Sequence, residues 1–224
     1  LAWGGVLRIH TTPYATAEPF GPSSPVPPGA HDGREPIGDP LGDGSGTPLR
    51  EGVGHMQLTV TAPVDGLAAG PGDASDSAAT AHATRPILLW IHGGRFEEGH
   101  PSEPWCTMRR FAEQGIVTVS LGYRKTLDGF WRMADDGRAG APDAAPYRAV
   151  DDLVHALRWV RDNAAAFGAD PGNVTLSGQS AGAGLALALA SDARSEGLVH
   201  RVIALSPGLS RGSGNALRRL LARI

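Results

Sequence analysis

The sequence predicts an α/β fold in which a mostly parallel sheet carries helices on both faces. Three short apolar runs, at 86–92, 116–121 and 201–205, have the length and content of buried strands. Helical patterns alternate with these runs, and the longest spaces apolar residues at helical intervals over 147–167. Because strands that alternate with helices are joined by crossover connections, the pattern favours a parallel sheet covered on both sides.

The remaining elements follow from local patterns along the chain. Gly168 is the predicted C-cap of the long helix. The other predicted elements are a strand at Leu58–Thr61, a short helix at 105–114, a long loop at 123–146, a strand at 173–176, a helix at 181–190 and a basic amphipathic helix at 214–224. Pro and Gly crowd 19–50, and Ala, Gly, Ser and Asp fill 62–85, so both segments are expected to be irregular or flexible.

Length and composition set limits on the class of protein. The 224 residues suffice for one domain or most of a larger one. The net charge is -3, and no basic run is interleaved with aromatic residues, which argues against a nucleic-acid partner. No apolar run approaches the ~20 residues of a membrane span. The lone Cys106 excludes an internal disulfide and is expected to be a buried apolar residue, so an oxidising compartment is not required, and we expect a cytoplasmic protein.

Two segments match the G-x-S-x-G pattern of a nucleophilic serine, and their contexts distinguish them. Around Ser180, a strand leads directly into Gly178-Gln179-Ser180-Ala181-Gly182 and a helix of small residues follows. Glycine two positions before and two positions after the serine lets strand and helix cross closely. Around Ser210, a Pro-Gly pair separates the strand from the serine. Ser180 is therefore the predicted nucleophile, and Ser210 the predicted loop or helix-capping serine.

A second motif lies upstream of this elbow. His92-Gly93-Gly94-Arg95-Phe96 comes directly after the Pro86–Ile91 part of the first apolar run. In serine hydrolases of the α/β type, a glycine loop at this place supplies backbone N–H groups to the oxyanion. Taken alone the loop is compatible with a plain glycine turn. Both motifs together, in this order, predict an acyl hydrolase.

Four segments carry a resemblance to the type-B carboxylesterases, a family of α/β-hydrolases that includes the cholinesterases. They read PILLWIHGGRFEEG, VTVSLGYR followed by GF, DDLVHALRWVRDNAAAFGADPGNVTLSGQSAGAG, and HRVIALSPG. LTVTAP and IHTTPYATA are more loosely similar to the family's early strands. The resemblance implies a single α/β-hydrolase domain over 1–224 that is incomplete, with its C-terminal part missing.

The resemblance also implies roles for individual residues. Ser180 is the implied nucleophile, and the backbone amides of Gly94, Arg95 and Ala181 are the implied oxyanion donors, with Gly93 shaping the loop. Arg95 stands where the family usually has a third glycine. Gln179 stands where it often has Glu, which makes choline-like cations less suitable substrates. A small-molecule ester is the expected partner, and no metal or organic cofactor is implied.

The rest of the catalytic machinery is not expected in this chain. The fold orders its triad as serine, acid, histidine, and the only histidine after Ser180 is His200, at the entry end of the last strand. Asp192 and Glu196 lie just before that strand. His92, His155 and Asp152 are expected to be structural. The alternatives are an inactive cholinesterase-like interaction domain, or another acyl hydrolase, such as a lipase or amidase, on the same fold.

Overall fold

A computed structural model describes residues 2–3, 6–26, 56–63, 85–131 and 147–208. Ser210 and the predicted helix at 214–224 lie outside the described residues, as does most of the two predicted irregular segments.

The described strands form one large sheet and one small one. The seven-stranded sheet has the order β1-β2-β5-β7-β6-β8-β9. Its strands are β1 (Ala2–Trp3), β2 (Val6–Pro13), β5 (Gln57–Pro63), β6 (Arg85–Ile91), β7 (Val117–Leu121), β8 (Ala169–Gln179) and β9 (Arg201–Leu205). The small sheet pairs β3 (Ala15–Thr16) with β4 (Ser24–Pro25).

The sheet is mostly parallel, as predicted. β7, β6, β8 and β9 are neighbours that all run in one direction. β5 is antiparallel to β7, and β2 is antiparallel to β5, so β2 shares the direction of the parallel group. Five of the seven strands therefore point the same way, and β5 and β1 oppose them. The carboxyl ends of the parallel strands consequently meet at one edge, where α/β folds place their sites.

Helices cover the two faces in different ways. Alternate residues of β5, β6 and β7 join the main core cluster with the apolar side of α3 (Arg148–Asn163) and with residues of α4 (Ala181–Ala190). The other face of β7 is polar, and its Thr118 and Ser120 hydroxyls donate to carbonyls of a 3-10 helix at Pro104–Thr107. Since successive side chains of a strand point to opposite faces, helices lie on both sides of the sheet.

The predicted helix at 105–114 is wrong in one respect, because the structure has two short helices there and not one. The 3-10 helix Pro104–Thr107 ends at Met108, whose φ of 48° is left-handed, and α1 (Arg109–Glu113) begins after it. Pro104 at the first helical position favours the start of the first piece. The break comes from a backbone conformation that the apolar spacing cannot reveal.

Three predicted boundaries also need correction. The predicted loop at 123–146 contains a short helix, α2 (Thr126–Phe130), and 132–146 lies outside the described residues. Ala62, Pro63 and Arg85, assigned to a flexible segment, are strand residues. The predicted irregular stretch at 19–50 contains β4. The ends of β5 and β6 are set by pairing with strands that are distant in sequence, which local patterns do not reveal.

The long helix agrees closely with its prediction. α3 continues as a 3-10 turn over Ala164–Phe167 and ends at Gly168, whose φ of 64° is a left-handed conformation that favours glycine. Near its start, Asp152 is completely buried and receives three hydrogen bonds from Arg124, from the backbone N at 3.2 Å, Nε at 2.9 Å and Nη2 at 2.7 Å. Burial alone would lower the pKa of the guanidinium, but the hydrogen bonds and charge of Asp152 outweigh burial and raise it. Asp152 thus has the structural role that was expected.

Candidate active site

Ser180 occupies a sharp turn between β8 and α4. Its φ of 54° and ψ of -120° lie in a region that residues with a Cβ rarely adopt. A conformation of this kind costs on the order of 1–3 kcal/mol and persists where the surroundings impose it. β8 is paired on both sides, so the turn is fixed in place at the carboxyl edge of the sheet.

Two glycines allow the strand and the helix to cross at this turn. A Cβ on Gly178 would lie 2.5 Å from the carbonyl carbon of Gly182. A Cβ on Gly182 would lie 2.6 Å from the carbonyl oxygen of His92. Real Cβ atoms do not come so close to backbone, so both positions require glycine. The local geometry that the sequence predicts for Ser180 is therefore present.

Gly208 packs against the Ser180 hydroxyl and the Ala181 amide. A Cβ built on Gly208 would lie 3.0 Å from Ala181 N and 3.1 Å from Ser180 Oγ. Gly208 approaches the turn because its N–H donates to Ser180 O at 2.7 Å. Ala181 is the first residue of α4, where backbone N–H groups have no partner within the helix and the dipole favours negative charge.

Gly208 is a site residue that sequence reasoning missed. It is the first glycine of the second G-x-S-x-G match, and it lies against the serine of the first. The signal available in the sequence was its position just after β9, which is the neighbour of β8. Only the strand order makes that position informative.

The glycine loop lies directly beside the serine. A Cβ on Gly93 would lie 3.0 Å from Gln179 O and 3.4 Å from Ser180 Cβ. Gly94 has a φ of 108°, and Arg95 has a φ of 55° although it is not glycine. The Arg95 guanidinium extends into solvent, where it lies 4.0 Å from Glu97 and 3.5 Å from Glu98. The structure thus brings both predicted motifs together.

A cavity of about 470 Å³ opens between the two motifs. Its walls include Gly93 and Gln179, which border the serine, and the carboxylates of Glu98 and Glu103. Trp105, which is 72% exposed, forms its outer side. Burial raises the pKa of the Glu103 carboxyl, although a backbone hydrogen bond and Lys125 oppose the shift. The cavity thus lies against the glycine loop and the residue that precedes Ser180.

The described histidines do not form a triad with Ser180 and an acid. The His92 ring stacks on Tyr123 with centroids 4.6 Å apart, and its Nδ1 lies 2.7 Å from Gly93 O. His155 lies on α3, and burial lowers its pKa. His200 immediately precedes β9, and its Nδ1 accepts from Val174 N at 3.2 Å, at the end of the sheet opposite Ser180.

The acids that follow Ser180 lie, like His200, at the end of the sheet opposite Ser180. Asp192 pairs with Arg194 between α4 and β9, and Glu196 lies in the same connection.

Among the described residues, no group of three or more His, Cys, Asp or Glu could hold a metal ion. None of the described helices combines the length and apolarity that a membrane crossing requires. Cys106 is buried, as predicted.

A strained serine between a parallel strand and a helix, beside a glycine loop at the carboxyl edge, is the arrangement found in α/β-hydrolases. Solved structures agree with this fold. A carboxylesterase of Geobacillus stearothermophilus matches with a TM-score of 0.66 and 30% identity, over 90% of this chain and 40% of that one. A thermophilic para-nitrobenzyl esterase matches with a TM-score of 0.68 and 26% identity, over 93% of this chain and 42% of that one.

The profile of the carboxylesterase family matches residues 57–215, and this chain belongs to that family. Phenmedipham hydrolase of Pseudarthrobacter oxydans is 36% identical over 193 residues, 85% of this chain and 33% of that protein. Para-nitrobenzyl esterase of Bacillus subtilis is 38% identical over 127 residues, 56% of this chain and 25% of that protein. The chain thus spans a third or less of the length of these two relatives.

Proposed function

We propose that this protein hydrolyses carboxylic esters of small molecules through an acyl-serine intermediate on Ser180. The observation that supports it most is that Ser180, held in a strained turn, lies beside the glycine loop, where a Cβ on Gly93 would lie 3.4 Å from Ser180 Cβ. An ester carbonyl bound between this turn and the loop would meet the Ser180 nucleophile and backbone N–H donors together. The family membership and the ester-hydrolase relatives support this proposal.

In the proposed reaction, Ser180 Oγ attacks the ester carbonyl carbon and its proton passes to a base. The tetrahedral intermediate collapses by releasing the alcohol, which takes up that proton, and water then cleaves the acyl-serine. We propose the amides of Gly94, Arg95 and Ala181 as the oxyanion donors. Loss of one donor of this kind costs roughly 10²–10³ in kcat in a known serine hydrolase.

We also propose that Arg95 serves through its backbone alone. Its side chain is directed toward Glu97 and Glu98, and its N–H is the same group that a third glycine would supply. Its positive φ is the conformation that glycine adopts without strain. The base and the acid that orients it are proposed to come from outside the described residues, because His200, Asp192 and Glu196 lie at the opposite end of the sheet.

The experiment compares residues 1–224 with the polypeptide of the whole open reading frame. Each is treated with a fluorophosphonate probe and assayed with a short-chain nitrophenyl ester, next to Ser180→Ala and Ser210→Ala variants. We expect labelling and turnover by the whole polypeptide, abolished by Ser180→Ala and retained by Ser210→Ala. Residues 1–224 alone are expected to give no enzymatic turnover.

Each other outcome has a definite meaning. A whole polypeptide whose serine is not labelled would favour the inactive, interaction-domain alternative. Label that survives Ser180→Ala but is lost in Ser210→Ala would refute the choice of nucleophile. Turnover by residues 1–224 that depends on Ser180 would show that the base lies within this chain.

A further inference from the structure

Lys125 is the only lysine in a chain that has 20 Lys and Arg residues in total. It follows β7, and its side chain is buried, with 8% of its surface exposed. Lysine is almost never buried without a partner. Burial lowers the pKa of its ammonium, while the charges of Glu103 and Glu98 oppose that shift. A lone lysine in so unfavourable a position calls for a specific role.

The Lys125 ammonium is bonded to the C-terminal end of the glycine loop, which comprises residues 93–99. Its Nζ donates a short hydrogen bond to Gly99 O. The next residue, Thr126, donates its backbone N–H to Phe96 O at 2.8 Å. The segment 125–126 is thus bonded to the loop at two points, one in the middle and one at its end.

Packing contacts connect the bonded end of the loop to Ser180. A Cβ on Gly99 would lie 2.8 Å from Gly93 O and closer still to Nδ1 of the His92 ring, so Gly99 packs against the first glycine of the loop. Gly93 in turn packs against Gln179 and Ser180. The contacts Lys125–Gly99–Gly93–Ser180 are therefore continuous, and Lys125 is not among the residues that line the cavity.

Two other roles fit the geometry less well. A residue that binds substrate would line the cavity beside Ser180, which Lys125 does not. A simple ion pair would bring the ammonium within contact of a carboxylate, yet its hydrogen bond is to a backbone carbonyl. Glu98 is itself shared with Arg95, at 3.5 Å.

We infer that Lys125 is a positioning residue, which fixes the glycine loop at the place where its amides serve the Ser180 oxyanion. The expected effect on catalysis rests on the proposed function. The expected effect on the loop rests on the contacts of Lys125 alone. Oxyanion donors act mainly in the transition state, so their displacement lowers kcat more than it raises KM.

The test uses three variants of the whole polypeptide. Lys125→Met keeps the length of the side chain and removes the donor, and Lys125→Arg keeps a charged donor. Arg109→Met removes an exposed cation that pairs with Glu113 and serves as the control. Amide hydrogen exchange over 93–99, the global unfolding midpoint, and kcat and KM for a nitrophenyl ester are measured for each.

We expect Lys125→Met to speed exchange over 93–99 by about tenfold, and to lower kcat by about tenfold with KM nearly unchanged, as expected for lost transition-state binding. The unfolding midpoint should also fall, because Gly99 O loses its hydrogen-bond donor, but the rise in exchange should be largest over 93–99. Lys125→Arg should recover most of kcat, and Arg109→Met should change neither quantity.

Several results would overturn the inference. They are unchanged exchange over 93–99 in Lys125→Met, an equal rise of exchange in all segments, or an effect on KM alone. If the wild-type polypeptide shows no Ser180-dependent turnover, the proposed function fails, and hydrogen exchange still decides whether Lys125 holds the loop.

Discussion

The strained backbone at Ser180 leads to a prediction in which a glycine raises stability. Ser180→Ala removes the hydroxyl but keeps a Cβ at φ 54° and ψ -120°. Ser180→Gly removes the hydroxyl and the Cβ together. The stability difference between these two variants therefore isolates the cost of holding a side chain in this conformation.

The expected difference follows from two opposing terms. Relief of a strained conformation is worth on the order of 1–3 kcal/mol. The greater conformational freedom of glycine in the unfolded chain lowers the stability of the folded state by roughly 0.4–1 kcal/mol. Ser180→Gly should therefore be more stable than Ser180→Ala by about 1 kcal/mol, which corresponds to about 2–4 °C in Tm for a chain of this size.

Chemical and thermal denaturation followed by tryptophan fluorescence measure this difference. Ala190→Gly is the matched control, because Ala190 is exposed at the end of α4 and has ordinary helical surroundings. There glycine should lower stability by up to about 1 kcal/mol. If Ser180→Gly is less stable than Ser180→Ala, the turn is not strained and the reasoning from φ fails.

Two further predictions concern the supports of the site, and denaturation measures both. Gly182→Ala should cost more than about 3 kcal/mol or prevent folding, because its Cβ would meet the His92 carbonyl at 2.6 Å. Gly197→Ala, with a φ of 73° and open space around it, should cost only about 1 kcal/mol; similar losses would refute the crossing argument. Asp152→Asn should cost about 3 kcal/mol, because the buried Arg124 guanidinium then keeps only the Asp128 carboxylate, at 3.7 Å, as a charged partner. Asp151→Asn, next to it in a partly exposed pair with Arg194, should cost about 1 kcal/mol or less, and equal losses would contradict the role of burial.

The parts of the fold that could be predicted are those with a local signature. Apolar runs locate β6, β7 and β9, and helical spacing with a terminal glycine locates α3 and its end at Gly168. The broken helix at Met108 and the short helix α2 could not be found in this way. Both depend on backbone conformations that neighbouring strands and loops impose.

The uncovered side of β9 also follows from long-range structure. Ile203 and Leu205 are each 47% exposed on this strand, which is the last of the described sheet. The sequence marks 201–205 as apolar, but it does not say which strand lies at the edge. Strand order decides that, because edge position is a property of the whole sheet.

The sequence by itself determined the elbow and the glycine loop. Gly178 and Gly182 around Ser180, and Gly93-Gly94 after a strand, are local requirements of close backbone approach, and such requirements are written in adjacent residues. The tertiary structure alone decided that Gly208 lies against Ser180 and that Lys125 lies beneath Gly99. Those contacts join residues that are far apart in the chain, and only packing of the sheet and its loops brings them together.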